Sequence, residues 1–182
     1  MEKKRRGPGS GGCSPRFLRL AAIGLGLTVL WPRLRGAPWA PTPMRVVHKM
    51  LEMAEVGPGD VVYDLGCGDG RLIVAAAQRY GARAVGVEIH PLRVLWCRAL
   101  IAFLGLRGRV RVIRGDFFRQ DLRDADVVIC YLLQRTNNRL EDKFRRELAP
   151  GTRVISRWFT FPGLHLVRQD SKERLYLYTM RE

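Results

Sequence analysis

From residue 44 onward, apolar positions repeat in two alternating rhythms. Met44, Val47, Met50, Leu51 and Ala54 recur at helical spacing, and Val56-Gly57-Pro58-Gly59-Asp60 then makes a turn. Residues 61–65 (Val-Val-Tyr-Asp-Leu) form a short apolar run of the kind covered on both faces in a parallel sheet. A helix over residues 69–80, ended by Gly81, leads to a second buried strand at 84–88. The next helix, 91–104, opens with proline in its first turn, where the missing N–H is no loss, and stops at Gly105. A strand at 110–113, another at 125–131, a helix at 137–148 ended by Pro150-Gly151, and a fifth strand at 153–156 continue the alternation. The end of the chain changes character. Residues 164–168 and 175–180 are apolar-rich and are joined by Gln169-Asp170-Ser171-Lys172, a hairpin signal. The pattern predicts an α/β fold: a mostly parallel sheet of about seven strands, helices on both faces, and a C-terminal antiparallel hairpin.

The segment ahead of this domain reads differently. Residues 1–16 are rich in Lys, Arg, Gly, Ser and Pro, a composition expected to stay disordered. Residues 17–31 (FLRLAAIGLGLTVLW) are apolar apart from Arg19. Three readings compete: a short membrane anchor or interfacial helix, with arginines snorkelling at its ends; a cleaved signal; and an organellar presequence. The anchor reading is preferred, because no clean cleavage site follows. Residues 32–43 form a proline-rich linker, and the domain proper spans residues 44–182.

Charge sharpens this division. The 182 residues carry 32 Lys plus Arg against 17 Asp plus Glu, a net +15. Eight of those cations and the single acid Glu2 fall in the first forty residues. A basic surface attracts nucleic acid, anionic lipid or an acidic partner without choosing among them; with charge alone behind it, nucleic acid is the weakest of these. The four cysteines, Cys13, Cys67, Cys97 and Cys130, form no C-x-x-C pair, which argues against a disulfide framework or a metal site.

The chemistry concentrates between the first strand and its helix. In Asp64-Leu65-Gly66-Cys67-Gly68-Asp69-Gly70-Arg71, Gly66 and Gly68 let the backbone turn sharply and approach a ligand, and N–H groups at the helix start favour a carboxylate. Asp64 can accept from an ammonium. A dinucleotide fingerprint would need glycine at the sixth place from Gly66, where Arg71 stands instead. Glu88, at the end of the second strand, can accept both hydroxyls of a ribose. Asp116, after the third strand, can accept from an adenine amino group, with Phe117 or Phe118 against the ring.

These residues resemble those of the class I, seven-stranded methyltransferases that use S-adenosylmethionine (AdoMet), which have a Rossmann-like sheet. Pro41-Thr42-Pro43, residues 61–71, Leu140-Glu141-Asp142-Lys143-Phe144 and Gly151-Thr152-Arg153-Val154-Ile155-Ser156 narrow the likeness. They resemble a lysine methyltransferase family whose known members modify the ATP synthase c-subunit and the adenine nucleotide translocase. The resemblance implies AdoMet held by Thr42, Asp64, Gly66, Cys67, Gly68, Glu88, Asp116 and Phe117. It also implies a protein lysine as acceptor, in a membrane-embedded substrate, and a membrane-associated enzyme whose domain faces the cytoplasm or an organelle matrix.

The acceptor site is expected beyond the fourth and fifth strands, where such sheets bind ligands. Tyr131, Gln134 and Trp158 are the catalytic candidates there, with Phe159 and Phe161 nearby. Aromatic faces would stabilise a cationic product, and burial would keep the lysine neutral. Tyr131-Leu132-Leu133-Gln134 does not resemble the Asn/Asp-Pro-Pro-aromatic signature of adenine and glutamine methylation. Cys130, expected to point into the sheet, is a poor nucleophile for cytosine. His48, His90 and His165 take no role. A small-molecule or RNA acceptor, or a non-catalytic AdoMet-binding module, remain the alternatives.

Overall fold

The computed structural model describes residues 40–181. The basic tail, the apolar segment 17–31 and most of the linker lie outside the described residues. The elements are α1 (Met44–Met53), β1 (Val61–Leu65), α2 (Arg71–Tyr80), β2 (Arg83–Glu88), α3 (Pro91–Phe103), β3 (Val110–Arg114), a 3-10 turn (Phe117–Arg119), β4 (Val127–Cys130), α4 (Gln134–Glu147), β5 (Arg153–Arg157), β6 (His165–Asp170) and β7 (Leu175–Thr179).

The seven strands form one sheet in the order β3-β2-β1-β4-β5-β7-β6. β1 to β5 pair in parallel, and β7 joins β5 and β6 antiparallel, as the terminal hairpin signal predicts. Strand alternation divides the core in two. Val62, Ala84, Val112, Ile129 and Ile155 face α1, α2 and α3, whereas Tyr63, Leu65, Val87, Val128 and Val154 pack against Leu140 and Phe144 of α4 and against Phe161. All five β1 residues are buried because both faces are covered.

Several boundaries differ from the expected ones, three of them for a visible reason. α2 begins at Arg71 rather than residue 69, because Gly70 holds φ at +83°, a left-handed conformation outside any right-handed helix. α4 begins at Gln134 and not at Asn137. Asparagine favours helix starts, but Asn137 is fully buried inside the helix, where its amide nitrogen donates to Ser156 Oγ (3.1 Å) and the Phe159 carbonyl (3.2 Å). β6 runs on to Asp170, so the turn falls later: Asp170 Oδ1 accepts the Glu173 amide at 2.9 Å, and Arg174 takes φ +53°. β4 is also shorter than 125–131.

The strand order reverses between β1 and β4, which are direct neighbours although β2 and β3 intervene in sequence. Open parallel sheets bind ligands outside the carboxyl ends of their strands at such a reversal. Asp64, near the end of β1, and Tyr131, just past β4, flank that point.

Candidate active site

Every side of the crevice starts from a strand end. β1 turns through Gly66 (φ +91°) and Gly68 (φ +58°), both in the region that favours glycine. The Gly66 and Cys67 amides donate to the same Val87 carbonyl, at 2.8 and 3.1 Å. The Gly68 amide donates to Glu88 Oε2 at 3.0 Å, and Glu88 Oε1 accepts the His90 amide at 2.8 Å. The bend is therefore pinned to the end of β2. Those loop amides are used within the protein, and the Arg71 amide donates to Asp69 Oδ1 at 3.3 Å, so a ligand anion is left the remaining first-turn amides of α2, whose N-cap Gly70 offers no capping side chain.

The two carboxylates differ in their partners. Glu88 is 5% exposed and fixed by two backbone amides, with Arg93 Nη1 at 3.8 Å. Asp64 is 8% exposed and accepts no hydrogen bond from any described residue. Burial, followed by the negative charges of Glu88 and Asp69, raises its pKa from 3.8 to about 7. A buried acid in this condition fits a cationic ligand group, and the α-ammonium of AdoMet is one. That is the structure's own sign that the cleft suits AdoMet.

Cys67 contributes backbone only. Its thiol is buried behind the bend, and its pKa is raised by a hydrogen bond with Cys97 and by burial. Gly86 of β2 makes room for it: a Cβ there would lie 2.6 Å from Cys67 Sγ and 2.9 Å from Ile73 Cδ1. Gly86→Ala is expected to destabilise the domain by about 1–3 kcal/mol through overpacking and to weaken AdoMet by displacing the bend. Thermal unfolding and titration calorimetry check this; an alanine variant unchanged in both would mean that the bend has slack. A strand glycine signals such a close approach in sequence, but it does not name the partner.

Arg71 does more than replace a glycine. Its Nε bridges both Asp69 oxygens (2.9 and 3.0 Å), and Nη1 donates to the Thr42 carbonyl at 2.8 Å. This link, between residues 29 apart, folds the Pro41-Thr42-Pro43 stretch back onto the start of α2. Thr42 is expected at the ligand, folded back over its methionine end, but sequence spacing carries no sign of the Arg71 tie that holds it.

At the third strand, Asp116 is exposed, and its Oδ1 accepts the Phe118 amide at 3.0 Å, capping the 3-10 turn. Phe117 and Phe118 are half-buried with ring centroids 4.9 Å apart, and the Arg139 guanidinium lies 4.2 Å over the Phe118 ring. Ile89, directly after Glu88, is 44% exposed and is a further apolar surface at this end. Sequence reasoning passed over it because a single apolar residue just past a strand end carries no motif.

Beyond β4 and β5, the Tyr131 and Trp158 rings stand 6.1 Å apart, tilted by 51°. The Arg157 guanidinium covers Tyr131 at 4.9 Å, and that of Arg174 covers Trp158 at 5.1 Å. Trp158 holds φ at +70°, with its amide donating to the Arg174 carbonyl at 2.7 Å. Gln134 does not join them. Its side-chain nitrogen donates to the Thr160 carbonyl (2.9 Å) and its oxygen accepts the Thr160 amide (3.1 Å), so it ties the segment after β5 to the start of α4. Phe161 is core, packed against Phe144 and Tyr178, and Cys130 is fully buried with its thiol pKa pushed up by burial.

Comparison with known proteins places this arrangement. The solved structure of an RNA methyltransferase from Salinibacter ruber, bound to S-adenosyl-L-homocysteine, superposes with a TM-score of 0.76 at 40% identity, covering 79% of this chain and 95% of that one. The strand order, the pinned glycine bend and this likeness define a class I methyltransferase that uses AdoMet. The profile of the ANTKMT methyltransferase domain matches residues 64–168, and the chain belongs to that family. A protein-lysine N-methyltransferase of Saccharolobus islandicus (strain REY15A) is 41% identical over 152 residues, 80% of this chain and 94% of the relative. The mouse adenine nucleotide translocase lysine N-methyltransferase is 34% identical over 155 residues, 78% of this chain and 67% of that enzyme.

Proposed function

We propose that this chain transfers a methyl group from AdoMet to the side-chain amine of a lysine in a membrane-associated protein. The observation that carries the reading is the 41% identity, across 94% of its length, to a relative named as a protein-lysine N-methyltransferase. The adenine nucleotide translocase enzyme adds a relative whose named substrate is a specific lysine-bearing protein. The apolar segment at residues 17–31 supports attachment to a membrane; the supply of AdoMet argues for a domain on the cytoplasmic or matrix side, against the orientation that Lys3, Lys4, Arg5, Arg6 and Arg16 ahead of the segment would give a spanning helix.

In this reading Asp64 receives the ammonium of AdoMet, Glu88 the ribose hydroxyls, and the start of α2 the carboxylate. Asp116, Phe117 and Ile89 border the adenine, and Arg71 holds Thr42 as one wall. When bound, AdoMet supplies an electrophilic methyl group on a sulfonium. Tyr131 and Trp158 flank the acceptor and hold it in line, the main task in such a displacement. Arg157 and Arg174 act on its charge: cations beside the two rings disfavour a protonated amine, so the lysine enters as the neutral nucleophile.

Trp158 supports its own role. A bulky residue in the left-handed region costs about 1–2 kcal/mol relative to glycine, yet tryptophan stands there. Trp158→Gly is expected to keep or raise the melting temperature while lowering turnover about tenfold or more, the loss given by ~1.4 kcal/mol of transition-state stabilisation. AdoMet affinity should stay within a few-fold. Unchanged turnover would remove Trp158 from the site.

A second reading has a specific observation behind it: the Salinibacter ruber structure is described as an RNA methyltransferase. The two separate cleanly. The full chain is incubated with methyl-labelled AdoMet and, in parallel, membrane protein and total RNA. Label on lysine, located by mass spectrometry, supports the proposal; label confined to RNA overturns it.

A further inference from the structure

The outer face of α3 is apolar where a surface helix is normally polar. Val94, Cys97 and Ile101 are buried against the sheet. Leu92, Leu95, Trp96 and Phe103 are exposed by 63, 65, 59 and 87%. At about 3.6 residues per turn, these four and Ala99 form one continuous stripe directly opposite the buried residues. A helix apolar on both sides is expected to be covered on both sides, and among the described residues nothing covers this one.

Charge says what fits the stripe. Arg93 and Arg98 border it on its two sides. From residue 89 to residue 115 the chain carries Arg93, Arg98, Arg107, Arg109, Arg111 and Arg114 and no acidic residue. Arg98, Arg107, Arg109, Arg111 and Arg114 are exposed, and β3, which bears two of them, is an edge strand. A second copy of the chain would set these arginines against arginines. The chain's own apolar segment, residues 17–31, is flanked by Arg16, Arg19, Arg33 and Arg35, and no acid occurs from residue 3 to residue 51, so it brings no counter-charge either. Nucleic acid would match the arginines and could stack on Trp96 and Phe103, but it would leave Leu92 and Leu95, exposed by 63 and 65%, in water. An anionic bilayer matches both: the stripe enters the interface and the arginines meet headgroup phosphates. With 13 residues, α3 lies along such a surface, and no helix among the described residues is long and apolar enough to cross a membrane.

We infer that α3 is a membrane-docking helix: Leu92, Leu95, Trp96, Ala99 and Phe103 insert into the interface of an anionic bilayer while the exposed Arg98, Arg107, Arg109 and Arg114 bind its headgroups. The contact sets the orientation of the crevice, since α3 follows directly on Glu88 and Ile89. It does not depend on which group receives the methyl.

The test uses the full chain and two kinds of vesicle, phosphatidylcholine alone and phosphatidylcholine with a minority of phosphatidylglycerol. Binding to the anionic vesicles is expected to be stronger by about tenfold or more and to weaken as salt screens the arginines. The triple variant L95Q/W96Q/F103Q should lose most of that affinity while binding AdoMet as the parent does, which also reports an intact fold. Residues 17–31 can contribute to vesicle binding, so a second measurement isolates the helix. Lipids brominated in the acyl chain should quench tryptophan emission more in the parent than in Trp96→Phe. Equal fractional quenching in the two overturns the inference, wherever else the chain attaches. So does a triple variant that loses affinity for a single-stranded RNA, or loses self-association in sedimentation, while its vesicle binding is unchanged.

Discussion

Glu88→Ala is expected to weaken AdoMet binding about a hundredfold or more. In the proposed site the carboxylate accepts two ribose hydroxyls. Hydrogen bonds to a charged group contribute ~1.5–3 kcal/mol each, so losing both removes at least ~3 kcal/mol. The same carboxylate also holds the bend, through Gly68 (3.0 Å) and His90 (2.8 Å). Alanine leaves these two amides without their acceptor at a cost of ~1–3 kcal/mol each, so the melting temperature should fall as well. Glu88→Gln separates the two effects. Its single oxygen can serve one of the amides, while its NH2 group must face the other, donor against donor. The Gln variant should therefore melt between the parent and the Ala variant and still bind AdoMet poorly. Titration calorimetry with AdoMet, on protein shown by circular dichroism to be folded, reads the result. Affinity within threefold of the parent in both variants would displace the cofactor from the end of β2.

Parts of this site were legible before any coordinates. The acid at Asp64, the glycines after it and the acid at Glu88 are read from local sequence, because each depends on where a strand ends, and strand ends follow from apolar runs and turn residues. The hairpin and the mixed sheet follow from the same signals. The ties that set the geometry were not legible. Arg71 to Thr42, Gly86 to Cys67 and Gln134 to Thr160 join residues 29, 19 and 26 positions apart, and no periodicity encodes such pairs. Gln134 shows the cost. Polar and placed just after a strand, it reads as catalytic, yet both ends of its amide are engaged with backbone. Asn137 misled in the opposite way, as a helix start that proved to be a buried brace for the turn after β5. The outer face of α3 was hidden for a simpler reason: an apolar helix beside a sheet reads as core, and only the fold reveals that one of its sides has nothing against it.

Asp64→Asn should abolish a pH dependence that the parent shows in both stability and binding. The ordinary carboxylate value is 3.8, and in the folded, ligand-free domain burial and the neighbouring Glu88 and Asp69 raise it to about 7. The folded domain therefore keeps a proton that the unfolded chain has released, and its stability is greatest below pH ~4 on this account and falls as pH rises through 7. About three pH units at ~1.36 kcal/mol each bound the change at roughly 4 kcal/mol. Asparagine cannot titrate, so its melting temperature should be nearly flat between pH 5 and 8 wherever the parent's falls. Binding runs the other way. An ammonium beside Asp64 favours its ionised form, so AdoMet displaces the proton, and the parent's dissociation constant should improve up to about tenfold per pH unit below 7 and level off above it. Calorimetry in buffers of different ionisation enthalpy should detect a proton released on binding near pH 6 in the parent and none in Asp64→Asn. Persistence of the same slope and the same proton release in the variant would move the titrating group away from β1, and the ammonium of AdoMet with it.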